Sequence, residues 1–300
     1  MLDVRRLRLL RELAHRGTIA AVAGSLSFSP SAVSQQLSVL EREAGVPLLE
    51  RTGRRVALTP AGQGLVRHAE AVLDRLEQAT AELAGARQGL AGPLRIGTFP
   101  SAARAVIPAA LTTLLREHPG LEPMVSELDS AAVADALRAG ELDIALVHDH
   151  DFAPGPEEPG VETRPLFTEA MYLASATPGG PAGTDTAVLG HWREAPWIVA
   201  TPRTLCHAMA VGACQAAGFI PRIRHRIDDF ATMLALVAAG QGVALVPQLG
   251  TVDLPGGVLL TKLSMCRRTA VAFRSGAGAH PAVSAFTAAL SAALPTELAL

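Results

Sequence analysis

Residues 18–51, TIAAVAGSLSFSPSAVSQQLSVLEREAGVPLLER, decide the fold: they read as two helices joined by a tight turn and followed by the start of an arginine-bearing hairpin. Thr18 is placed to cap a short helix, Ile19 to Leu26, whose small side chains let a second helix lie close across it. Ser27-Phe28-Ser29-Pro30 breaks that helix. Ser29 is a good cap, and Pro30 suits the first helical position, where no amide hydrogen bond is lost. In the next helix Val33, Leu37, Leu40 and Ala44 recur at steps of four, three and four, which makes one buried stripe. Ser31, Ser34, Gln35 and Ser38 are left outward. Short hydroxyls and amides in that place bond base edges and phosphates without bulk to keep the helix out of a groove. Taken alone, the face is equally that of an ordinary polar helix.

The residues after this helix separate the two readings. Gly45 ends the helix, Val46-Pro47-Leu48-Leu49 is strand-like, and Glu50 to Leu58 turns back with arginines at its tip, a wing that reaches phosphates. The expected DNA contacts are Pro30, Ser31, Ser34, Gln35, Gln36 and Ser38 on the helix, and Arg51, Arg54 and Arg55 on the wing. Here the chain resembles the LysR-type transcriptional regulators. The resemblance runs from about Leu10 to Gly62 through Gly17-Thr18, Ser29, Ala32, Ser34, Gln36, Leu40-Glu41, Gly45-Val46, Glu50-Arg51 and Leu58-Thr59-Pro60-Ala61-Gly62. Ile19 and Leu49 stand where that family usually has Phe. Pro30-Ser31 replaces a common Gln-Pro and Gln35 a frequent Arg, so the bases contacted are not inherited from relatives.

The 300 residues exceed what one core usually holds, and 49% apolar composition lets two or three domains each bury one. The net charge is only -2, but it is unevenly placed. Through residue 67 ten arginines face five acids, so the amino-terminal head is positive by five and is drawn to a phosphate backbone by that end alone. Lys262 is the single lysine, which leaves phosphate contact to arginine, hydroxyls and amides. No signal peptide and no membrane-spanning run are expected, so the chain reads as soluble and cytoplasmic. Cys206, Cys214 and Cys266 have neither disulfide-framework nor zinc spacing.

Leu7, Leu10, Leu13 and Ala14 give residues 3 to 16 one apolar face. Thr59-Pro60 opens a long helix in which Leu65, Ala69, Val72, Leu76, Ala79, Leu83 and Ala86 alternate steps of four and three. An amphipathic helix packed on its own domain has the same pattern. A long helix leaving a small DNA-reading head gains more by pairing with its twin, since two heads then meet a two-fold operator. The resemblance implies the same linker helix, a homodimer and from it a homotetramer. The domains are expected at 1–60 (winged helix-turn-helix), 61–90 (linker) and 91–300 (effector-binding).

Beyond Gly85 to Pro93 strand and helix alternate. Leu94 to Gly97 is a strand, Ser101 to Glu117 a helix, Pro123 to Glu127 a strand, Ala131 to Ala139 a helix and Asp143 to Val147 a strand. A second set comes next: Ala170 to Ser175, Trp197 to Ala200, the helix Thr204 to Ala217, Arg222 to Ile227, the helix Phe230 to Ala239 and Val243 to Val246. Such alternation makes α/β lobes with mostly parallel sheets and ligand sites at the carboxyl ends of strands. The resemblance persists in Ala139 to Leu146 and Val237 to Pro247. It implies a two-lobed effector domain of the periplasmic-binding-protein-like (type II) kind, with a strand near Thr269 to Arg274 and a helix Pro281 to Leu294 returning to lobe I. Lobe I is then about 91–164 and 267–300, lobe II about 165–266, with crossings near Arg164-Pro165 and Lys262-Leu263.

Thr98 to Ser101 succeeds a strand and opens a helix, so Ser101 faces the positive end of a helix dipole, suited to a carboxylate. Ser130 opens the next helix in the same way, and Thr201-Pro202-Arg203-Thr204 does so in lobe II. The family's effector-contacting positions match Ser101, Ser130 and the Thr201 to Thr204 loop, although each hydroxyl alone is more often a simple cap. These candidates are small and nearly without acids, which permits an anionic metabolite without requiring one. His148-Asp149-His150-Asp151 offers ligands for borderline cations. Four adjacent residues in an extended loop do not all converge on one ion, however, and no distant cluster completes a site. No metal and no cofactor are expected; His148 is expected on the cleft rim, touching the effector.

Cys206 and Cys214 lie eight residues apart on one helix, roughly 12 Å at about 1.5 Å per residue, beyond the roughly 7 Å that a disulfide allows. The peroxide-sensing branch of the family has two cysteines in a comparable region, in a different context. A redox-responsive regulator is therefore one alternative, and a solute-binding α/β protein with an incidental helical head another. No nucleophile elbow, phosphate-binding loop or metalloprotease motif occurs in its required context, and no enzyme is expected.

Overall fold

The computed structural model describes all residues except 53–54, 87–88, 156, 179–182, 296–297 and 299–300. Its head is built from capped helices. Asp3 caps α1 (Val4–Arg16), Thr18 caps α2 (Ile19–Ser25) and Ser29 caps α3 (Pro30–Ala44). Each cap oxygen accepts an amide that the first helical turn leaves unpaired. Gly17 and Gly45, at φ 71° and 70°, end α1 and α3 in the left-handed conformation that glycine adopts at no cost. Val33, Leu37 and Leu40 are buried with Leu7, Leu10 and Leu13, as the stripes require; Ala14 is exposed, and Leu9 is buried in its place.

An antiparallel pair, β1 (Leu49–Thr52) and β2 (Arg55–Leu58), forms the wing. Glu41 Oε1 ties it to α3 by accepting from the amides of Leu48 and Leu49 at 2.9 and 3.0 Å. Thr59 caps α4 (Pro60–Gly85), and any Cβ on Gly62 would collide with the Leu48 carbonyl, so glycine is required where the linker passes the wing. The apolar seam of α4 divides. Leu65 and Ala69 join the head core, whereas Val72, Leu76, Ala79 and Leu83 are exposed. No helix among the described residues is long and apolar enough to cross a membrane.

Next in the chain come β3 (Ala91–Thr98), α5 (Pro100–Ala105), α6 (Ile107–Glu117), β4 (Gly120–Glu127), α7 (Ser130–Ala139), β5 (Ile144–His150) and β6 (Val161–Ser175). The second lobe has α8 (Asp185–His191), β7 (Pro196–Val199), α9 (Leu205–Ala216), β8 (Arg222–Arg226), α10 (Phe230–Ala238) and β9 (Ala244–Pro247). Finally β10 (Leu259–Arg274) and α11 (Pro281–Ala293) return to the first lobe. The helix expected from Ser101 to Glu117 is two helices broken at Val106. Pro108 cannot donate to the preceding turn and disfavours helical geometry before it.

The sheet also differs from the mostly parallel one expected. Its six strands run β4-β3-β5-β10-β6-β9, parallel among the first three and antiparallel thereafter. The reason is the length of β6 and β10, which pair from Leu259↔Ser175 to Arg274↔Val161 and pass through both lobes as one ladder. The crossings are thus long paired strands, with register shifts at Lys262/Cys266 and Thr269/Ala270. On the other side of the molecule the head rests on α7: Arg8 donates to the Arg138 and Ala139 carbonyls at 2.8 and 3.0 Å, and Arg16 pairs with Asp135 at 3.0 Å.

Candidate functional sites

The polar face of α3 is open. Pro30, Ser31, Ser34, Gln35 and Ser38 are exposed, and Ser31 shares a 3.0 Å hydrogen bond with the cap hydroxyl of Ser29. Gln36 faces another way: its Oε1 accepts from Arg6 Nε at 2.9 Å, and Arg6 also pairs with Glu43, so this amide is spent inside the head. Arg54 lies outside the described residues, as do the side chains of Arg51 and Arg55. An exposed row of short polar groups beside a short hairpin is a surface that can enter a DNA groove.

The second site lies where the two lobes meet. Its floor is an ion pair that sequence reasoning missed. Arg267 of β10 stands opposite Glu169 of β6, bonded at 2.7 Å, with both side chains at most 1% exposed. Arg267 also donates to Ser101 Oγ at 3.0 Å and lies over the Phe99 ring, while the second Glu169 oxygen accepts from the Leu249 amide. Ser101 is therefore engaged, and the guanidinium beneath it is already neutralised. A carboxylate gains less here than the helix dipole alone suggests.

Above this floor is a cavity of about 310 Å³ lined by Ser101, Ser130, His148, Thr204 and Cys206, among others. Glu127, Asp129 and Asp228 also line it, so the cleft is acidic at its edge rather than nearly without acids. Asp129, not Ser130, caps α7; Ser130 is the first helical residue and accepts from the His148 amide at 3.3 Å. Thr201 is turned to Asp228, donating through both its amide and its hydroxyl, and Pro202 is exposed. Neither lines the cavity. Thr204 caps α9 and does line it. A larger cavity of about 670 Å³, walled in part by Ala131, Val133 and Ala134 of α7, shares Ser130 and His148 with it.

The strand β5 does not stop at Val147 but continues through His150, and its alternation sorts the four-residue polar run. His148 and His150 stack edge to face at 5.1 Å, while Asp149 and Asp151 both pair with Arg268. From lobe II, Cys206 brings its Sγ to 3.8 Å from His150 Nε2. Burial, helped by the Arg267 charge, holds the imidazole pKa of His148 well below the usual range and that of His150 at about 3, so both rings are neutral near pH 7. Burial also pushes the Cys206 thiol up to about 11, with Asp129 and Asp228 adding to the effect and Arg267 opposing it. Cys214, buried in the lobe II core, is pushed up to about 12. The helix between the two cysteines is unbroken from Leu205 to Ala216.

Residues 4–63 match the family of bacterial regulatory helix-turn-helix proteins, lysR family, and residues 87–295 match the LysR substrate binding domain. A probable hydrogen peroxide-inducible genes activator of Mycobacterium avium is 31% identical over 282 residues, covering 91% of this chain and 88% of that one. The transcriptional dual regulator GltC of Bacillus subtilis (strain 168) is 27% identical, covering 82% of this chain and 81% of its own. Among solved structures, an OxyR variant of Corynebacterium glutamicum bound to hydrogen peroxide superposes with a TM-score of 0.60 at 27% identity, covering 98% of this chain and 92% of that one.

Proposed function

The chain belongs to the LysR family of bacterial transcriptional regulators, and we propose from that premise that it is a cytoplasmic regulator whose grip on double-stranded DNA changes when a small molecule enters the cleft between its lobes. Residues 1–60 read the duplex, 61–90 join two copies, and 91–300 hold the effector. What carries the reading is the cavity walled by Ser101 of one lobe and Thr204 of the other, in a chain whose α3 face stands open. With Glu127, Asp129 and Asp228 around it and Arg267 neutralised from below, that cavity favours an effector bearing cationic or donor groups over a bare carboxylate. Homodimerisation through Val72, Leu76, Ala79 and Leu83 covers apolar side chains that the single chain leaves in water; a tetramer then needs a further contact between effector domains.

A mobility-shift assay on promoter fragments flanking its own gene tests the assignment, with a chain lacking residues 1–60 as control. Gln35→Ala relaxes sequence choice, whereas Arg51→Ala weakens all sequences alike and lowers the salt dependence by about one phosphate contact. Should no fragment be retarded at low ionic strength, the assignment fails.

The peroxide-inducible relative favours a second reading, in which Cys206 is oxidised and the change is relayed to DNA. A thiol held at about 11 carries little thiolate at neutral pH, which opposes it. Mass spectrometry after brief treatment with low peroxide decides: sulfenate confined to Cys206, with altered DNA binding, replaces the metabolite reading by this one.

A further inference from the structure

We infer that His148, His150 and Cys206 form a metal site between the lobes, which takes a borderline, thiol-preferring divalent cation of the zinc class with three protein ligands and an open fourth position toward the cleft. The ligand atoms of the three residues lie within 4.8 Å of one another. Nitrogen and sulfur on one tetrahedral or trigonal zinc stand about 3.5 to 3.8 Å apart at ordinary bond lengths. Cys206 Sγ and His150 Nε2 are already at 3.8 Å.

A second, independent observation points the same way. His150 is fully buried and offers Nε2 toward Cys206, and the Nδ1 atom of His148 lies buried without a hydrogen-bond partner among the described residues, open to serve as that residue's ligand atom. Buried polar atoms are rarely left without a partner, because each forfeits its hydration. Imidazoles two apart on a strand, met by a thiol from another element, are a donor set suited to zinc rather than to magnesium or calcium. The surrounding arginines bear on the imidazoles, but their charge is largely compensated. Arg267 and Arg268 are near, but Glu169 pairs with the first and Asp149 and Asp151 with the second, and Asp129 and Asp228 face the cleft unpaired by any of these arginines. On binding, the Cys206 S–H bond breaks, the sulfur keeps the electron pair as the metal ligand, and the proton goes to solvent.

His148 and His150 belong to β5 and Cys206 to α9, so the ion fastens one lobe to the other. Only the consequence for DNA binding rests on the regulator assignment; the site itself does not.

Cobalt(II) titration of the purified full-length protein tests the site, since bound Co²⁺ reports thiolate ligation by an intense near-ultraviolet charge-transfer absorption. One Co²⁺ per chain with that absorption is expected, displaced by Zn²⁺. Cys206→Ser abolishes the absorption and weakens Zn²⁺ in equilibrium dialysis by about 100-fold or more, at least the upper end of what losing an outer-sphere partner costs. His148→Gln, at a less buried position, weakens Zn²⁺ comparably and leaves the sulfur absorption, while Cys266→Ser changes neither. No saturable binding, binding without the absorption, or an absorption that survives Cys206→Ser overturns the site. The mobility shift of the metal-free protein is read separately: its failure removes the regulator assignment and leaves the titration result standing.

Discussion

Two buried ion pairs among the described residues, one in the head and one in the cleft, are built in opposite ways. In the head, Glu12 is fully buried between Arg11 and Arg16, at 2.7 and 3.0 Å, all within one helix. In the cleft, Glu169 meets Arg267 across 98 residues, at the border of the two lobes. The first is assembled as soon as α1 forms; the second exists only when β6 and β10 have found their register. Local chemistry therefore stiffens the DNA-reading part, while long-range chemistry marks the part where lobes and ligand meet.

Neutralising one partner at each place tests that contrast. Glu169→Gln is expected to cost about 3–5 kcal/mol in urea unfolding, because it strands Arg267 as a buried charge, and the joint change Glu169→Leu with Arg267→Met recovers most of the loss. If the double variant is no better than the single one, the pair does more than neutralise charge. Glu12→Gln leaves Arg11 without its carboxylate, but Arg16 keeps Asp135 as a second partner, and the cost is up to about 3 kcal/mol.

The head pair also sets a pH dependence. Burial raises the Glu12 pKa, but Arg11 and Arg16 outweigh it and hold the carboxyl below its ordinary value. The unfolded chain thus takes up a proton first as pH falls. Stability from this pair is complete above the ordinary glutamate value and is lost as pH drops through and below it, a slope that Glu12→Gln removes from the melting curve.

Two smaller effects refine the picture outside the buried clusters. Leu76→Glu on the exposed linker face forfeits burial worth about 1.5–3 kcal/mol at each copy, at least a tenfold weaker dimer by sedimentation, with the fold intact by circular dichroism. An unchanged dimer would move the self-contact elsewhere. Ser29→Ala deletes the cap of α3 for about 1 kcal/mol and lowers the melting temperature of the head.

The same contrast explains how much could be read in advance. Thr18, Ser29, Thr59 and the Val33-Leu37-Leu40 stripe announce themselves because a cap and the face it opens lie within a few residues of each other. The cleft floor does not. Arg267 stands in a strand expected only near Thr269, and His150 in one expected to end at Val147; charged and aromatic-polar residues at strand ends look like loop. Alternation carried three residues further, through His150, puts His148 and His150 on one side. Cys206 would still be missing, since nothing near it in the chain shows that α9 packs there. Helix α8 is likewise illegible in the sequence, its seven residues lying between turn-like glycines and prolines.

Helix α7 has its first turn in the cleft, where Asp129 and Ser130 line the cavity, and its last carbonyls in the grasp of Arg8. Ten residues of α-helix make a rod about 15 Å long that neither stretches nor bends appreciably. Whatever tilts one end must tilt the other, so news of an occupied cleft has a mechanical route to α1 inside a single subunit, independent of how the copies are arranged around it.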